Sequence, residues 1–165
     1  MIKKFRRGLI ILSALFIQLN AVAAEPSVKP GIYKQVVNQP MQKVYPAVYQ
    51  ALEDVNFYVV FEPFISKSIS RFAEKWGDDY NQNKLDSIRS MVFCNGWYAN
   101  KVSNADPDML ALCPLSLSLY EKSGKTVVAF ARPSIFAGQS TAGPVLQEIE
   151  SAVINAIKTG IENIR

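Results

Sequence analysis

Cys94 and Cys113 are the only cysteines in the 165-residue chain, which contains no histidine. A cysteine pair can ligate a metal, exchange electrons, attack as a nucleophile or staple two parts of a chain. Tetrahedral zinc needs four ligands, so two cysteines without histidine leave a site short unless carboxylates or a second subunit contribute. A thioredoxin-type centre needs C-x-x-C, whereas eighteen residues separate this pair. A cysteine nucleophile is normally paired with a base, most often histidine. The missing imidazole also excludes Ser-His-Asp catalysis, HExxH zinc sites, histidine-ligated haem and histidine pH switches. The pair sits at the end of one strand pattern and the start of another, and in an oxidising compartment such thiols tend to pair. The expectation is therefore a disulfide between Cys94 and Cys113, stabilising by about 3 kcal/mol on the chain-entropy estimate. Its condition is a Cα separation within about 7 Å. The alternative is a working thiol at Cys94, with Cys113 as its resolving partner, since a helix start after Cys94 favours a thiolate.

Around the pair lie Asn95, Trp97, Tyr98, Pro114 and Tyr120, candidate residues of a pocket or interface. Aromatic side chains such as these, with Trp76, can line a small apolar ligand site. They serve equally in core or dimer packing, which is the expectation for Trp76. Asp78 and Asp79 lack further acidic positions at calcium-loop spacing and read as a solvated loop. Asp106-Pro107-Asp108 reads as a turn with a helix-starting cap, not an acid–base pair. No metal site and no cofactor are expected.

The first 24 residues, MIKKFRRGLIILSALFIQLNAVAA, have the basic start, apolar middle and small-residue end of a secretory signal peptide. The apolar run is shorter than the roughly 20 residues of a spanning helix. Cleavage is expected after Ala23 or Ala24, giving a periplasmic or secreted protein with no stable membrane anchor. The leader holds four of the 18 basic residues and none of the 14 acidic ones, so the mature chain balances at zero formal charge. Nucleic acid thereby loses its electrostatic argument as a partner. An apolar fraction of 49% and a charged fraction of 19% are those of a globular domain.

Residues 25–31 read as a short lead-in and 32–165 as one domain. Strands are expected at 32–37, 57–61, 87–94, 115–120 and 126–131. Val44, Ala47, Val48, Ala51, Leu52 and Val55 mark a helix, with Pro46 in its first turn and Asn56 as its left-handed cap. Ile69, Phe72, Ala73 and Trp76 mark a second, GWYANKV a short third, and 141–165 a long last helix. In that last helix Val145, Ile149, Ala152, Val153, Ala156, Gly160 and Ile164 form one stripe, and Pro144 lies in the first turn. Strict alternation in LSLSLY turns Leu115, Leu117 and Leu119 inward, and Gly124 suits a tight turn. The order β-α-β-α-β-α-β-β-α predicts an α+β fold with helices packed on a mixed sheet.

The stretch from Met91 to Pro133 resembles the signature of the domain of unknown function 302 family. Cys94-Asn95, Ala99, Asp106-Pro107, Leu112, Pro114, Tyr120-Glu121 and Gly124 carry the resemblance, and YQALEDVNFYVV resembles the family's helix leading into a strand. Gly96 stands where the family has proline, and Cys113 precedes Pro114 where the family's cysteine follows it. The resemblance implies a compact α+β domain, often dimeric, with no established activity. Two functions follow as expectations. The first is a non-enzymatic module that binds a small apolar or sulfur-containing ligand, or a protein partner, as a homodimer. The alternative is thiol redox or sulfur-compound handling at Cys94.

Overall fold

Ile32–Val37 (β1) leads into the helix Met41–Glu53 (α1), followed by the strand Tyr58–Phe61 (β2). Ser87–Cys94 (β3), Leu115–Lys122 (β4) and Lys125–Ala131 (β5) complete a five-stranded sheet in the order β1-β5-β4-β3-β2. These assignments come from a computed structural model that describes residues 30–164. The expected leader, the cleavage sites expected after Ala23 or Ala24 and most of the expected lead-in lie outside the described residues. No described helix is long and apolar enough to cross a membrane.

The α+β class and the order of elements are as expected, but the sheet is antiparallel at every pairing, not mixed. The reason is connectivity. β3, β4 and β5 are neighbours in sequence order, and α1 carries the chain from one sheet edge, β1, to the other, β2, so that no parallel neighbours arise.

The helix Gly143–Glu162 (α5) packs with α1 over one face of the sheet. Alternation along the strands supplies that face with Met91, Phe93, Leu117, Leu119, Val128 and Phe130, all buried. From the helices come Val44, Val48, Leu52, Leu146, Ile149, Val153, Ile157 and Ile161, at intervals of three and four residues within each helix.

Pro46 does not fall in the first turn. α1 begins at Met41, earlier than the sequence suggests, which puts the proline in the helix interior. It deprives one carbonyl of its helical donor, and the burial of Met41, Val44, Tyr45 and Val48 outweighs that loss. Asn56 takes the left-handed φ of 63° expected of it, and Val55 is left exposed beyond the helix end. Phe57 is buried, but Tyr58, Val60 and Phe61 are exposed because β2 is an edge strand with a bulge between Val59 and Phe61.

The expected second helix is broken into Ile65–Ile69 (α2) and Ala73–Trp76 (α3), with 3₁₀ turns after each. None of these segments buries a residue. Trp76 stacks on Phe72 at 5.2 Å and is 41% exposed, so it is not core.

Gly160 is where α5 meets α1. A Cβ there would lie 2.6 Å from the Ala47 carbonyl oxygen. Alanine would gain about 1 kcal/mol in helix propensity. The clash is with backbone, which cannot rotate away, and overpacking of this kind costs about 1–3 kcal/mol. Gly160→Ala is therefore expected to lower the urea midpoint at unchanged m; a rise in the midpoint would contradict the close approach.

Candidate functional site

Between β3 and β4 the chain leaves the sheet for residues 95–112. The helix Gly96–Ala105 (α4) comes first, then the 3₁₀ segment Pro107–Leu112. Asn95 starts α4, its side-chain oxygen accepting from the Tyr98 N–H at 3.2 Å. Asp106 starts the 3₁₀ segment by accepting from the Asp108 N–H at 3.1 Å, the capping role expected of it. The same carboxylate accepts from the Ser140 hydroxyl at 2.5 Å. Lys101 pairs with Glu148 of α5 at 2.6 Å, and the Tyr98 hydroxyl donates to the same carboxylate at 3.3 Å. The Lys101 ammonium holds the Glu148 carboxyl below its ordinary range. The 95–112 excursion is thus tied down at its outer rim by polar contacts, most of them exposed.

Its underside is apolar. Tyr98 stacks on Phe57 at 5.6 Å, and Phe57 meets Phe93 edge-on at 5.9 Å. Tyr98, Ala99, Val102, Met109 and Leu112 face Phe57, Phe93, Leu115, Leu146 and Ile149 across a partly enclosed pocket of about 30 Å³. Asn95 and both cysteines complete its wall.

Of the residues singled out from sequence, Cys94, Cys113, Asn95 and Tyr98 come together here. Trp97 is 67% exposed and is not part of the wall. Pro114 is exposed as well, and Tyr120 pairs with Ile88 and Val127 toward the far end of the strands. Sequence reasoning missed Phe57, Val102, Met109, Leu146 and Ile149. A local signal existed for Val102, one helical turn beyond Tyr98, whereas Phe57 and Leu146 reach the pocket only through tertiary packing.

Cys94 Sγ and Cys113 Sγ lie 3.4 Å apart, in contact and unbonded. The pairing Phe93↔Leu115 sets Cys94 opposite Pro114 and diagonal to Cys113. The shift of Cys113 to the near side of Pro114 does not separate the thiols, because the alternation of β4 begins only at Leu115. The Cys113–Pro114 peptide bond is cis. Burial, reinforced by the hydrogen bond and charge of Cys94, pushes the Cys113 thiol up to about 11 from an ordinary value of 9.0. In the reduced native protein Cys113 should alkylate more slowly at pH 8 than in the denatured chain, because burial and Cys94 disfavour its thiolate. Equal rates would contradict its burial. Among the described residues no group of three or more aspartate, glutamate or cysteine side chains is placed to hold a metal ion.

The sequence profile described as "Domain of unknown function DUF302" matches residues 33–164. The chain belongs to the DUF302 family. A crystal structure of an uncharacterized conserved DUF302 protein from Bacillus stearothermophilus superposes with a TM-score of 0.63 at 18% identity. The match covers 83% of this chain and 100% of that one, and at this identity it speaks for a shared fold alone. No curated protein matches the sequence. The DUF302 pattern read from sequence thus falls on the β3–α4–β4 region, where Cys94-Asn95 and Ala99 line the pocket and Asp106 caps its cover.

Proposed function

We propose that this DUF302 protein is a non-enzymatic binding module whose site is the pocket beneath α4, and that it seats the apolar end of a small uncharged ligand. One observation carries the reading: side chains from β3, β4, α4, the 3₁₀ segment and α5 converge around a space that none of them fills. A space of about 30 Å³ exceeds the requirement of one water, but a wall with so few polar groups offers water too few partners. Pockets that swallow a whole organic ligand run to roughly 300–1,000 Å³. A pocket of this size therefore suits a methyl- or thiomethyl-sized group, and a larger body requires α4 to lift.

Xenon, which enters dry apolar cavities, is the direct probe. Under xenon pressure, methyl signals of Val102, Met109, Leu112, Leu115, Leu146 and Ile149 should shift together and saturate. Ala99→Met, which fills the space from α4, should abolish the response. Shifts scattered over the surface, or none, would sink the reading.

The same reading takes the protein as exported, on the strength of residues 1–24, and as a homodimer, supported by Tyr58, Val60 and Phe61 exposed along the β2 edge. The intact mass of the protein recovered from the periplasm and its sedimentation in solution test these two points. A retained leader or a monomer would refute the corresponding one.

A further inference from the structure

The two cysteines stand at the two ends of the 95–112 excursion, where it leaves and rejoins the sheet. We propose that Cys94 and Cys113 form a reversible disulfide latch across the base of that excursion, exchanged with low-molecular-weight thiols and disulfides, and that its state sets how readily α4 lifts from the pocket. The latch rests on the reading of the pocket as a binding site.

Three features of the structure support it. The sulfurs are already in contact at 3.4 Å, so a bond of about 2.05 Å needs a movement on the order of 1.4 Å, within reach of small side-chain adjustments. Both cysteines are half-buried, so the pair is not sealed from a small thiol. The excursion is held elsewhere by rim contacts such as Lys101–Glu148 and Asp106–Ser140, so its base is where a covalent tie changes its freedom most.

The chemistry balances with a small disulfide RSSR as the oxidant. The Cys94 thiolate attacks one sulfur of RSSR, the S–S bond of RSSR breaks, the other sulfur leaves as RS⁻, and a mixed disulfide Cys94–S–S–R remains. Cys113 loses its proton to solvent and attacks Cys94 Sγ, which expels the second RS⁻. The two cysteines are oxidised by two electrons and RSSR is reduced to two thiols. Cys113, held protonated by burial and its neighbour, takes the second step. Excess thiol runs the sequence backwards.

The test uses the native protein with oxidised glutathione as oxidant and dithiothreitol as reductant. Intact mass after thiol alkylation should show both cysteines protected by oxidised glutathione and both released by dithiothreitol without denaturant. Amide exchange across residues 96–112 should slow at least about tenfold in the oxidised form, with Met91 and Leu117 amides unchanged. Cys94→Ser and Cys113→Ser should each abolish the slowing and keep the reduced protein's exchange pattern.

A pair that never oxidises, one that resists dithiothreitol until the protein is unfolded, or exchange that ignores the redox state would each overturn the latch. Slowed exchange without any xenon response would support the latch and overturn the pocket reading. A xenon response without disulfide formation would do the reverse.

Discussion

Phe57→Ala should cost the fold about 4 kcal/mol and loosen α4 at the same time. Phe57 is fully buried immediately before β2, with its ring between the Tyr98 and Phe93 rings. Truncation removes the transfer free energy of a benzyl group and leaves a void contiguous with the existing pocket. The aromatic pairing adds about 0.5–1.5 kcal/mol beyond buried area. Because Tyr98 is the stacking partner, the loss falls on the seating of α4 as well as on global stability. Urea unfolding should show the stability loss, and amide exchange at Tyr98–Val102 should accelerate more than exchange in β4. A cost below about 1 kcal/mol would mean that the stack contributes little beyond filling space.

Glu150→Ala is the second large effect, at about 3 kcal/mol. Glu150 lies on the inward side of α5 and is only 6% exposed. Its carboxylate accepts from Arg132 Nε at 2.7 Å, and from the backbone N–H of Ser134 at 3.2 Å and the Ser134 hydroxyl. These contacts fasten the segment after β5 to the long helix. Removing the carboxylate strands three donors, and breaking such a pair costs about 3–5 kcal/mol when both charges are buried. Arg132 keeps 32% side-chain exposure and can turn to water, which places the expected loss at the low end of that range. Glu150→Gln, which keeps an acceptor but not the charge, should recover part of it. Equal stability of the alanine variant and the parent would show that the pair merely breaks even.

Strand and helix order was legible because the elements that build the sheet carry clean periodicity. Strict alternation in Leu115–Tyr120 and β-branched runs in Ile32–Val37 survive into the structure unchanged. Where the sequence misled, long-range packing made the decision. Pro46 signals a helix start, yet Met41 and Tyr45 gain enough by burial to extend the helix past it. The strand expected at 57–61 is strongly apolar yet leaves Tyr58, Val60 and Phe61 exposed, because its place at the sheet edge is a property of topology that no local window contains. The Trp76 segment has helical spacing without a partner surface, so it settles as short turns. At the site, the thiols were legible from type and position, and their contact required the β3–β4 register. The rest of the pocket wall comes from Phe57 and α5, far from the cysteines in sequence.

The central claim is that the space beneath α4 accepts an apolar group. Methyl-resolved NMR of the reduced protein under xenon tests it most directly. Saturable shifts confined to the side chains lining the pocket, abolished by Ala99→Met, are the predicted result. The absence of such shifts, or their persistence in Ala99→Met, would contradict it.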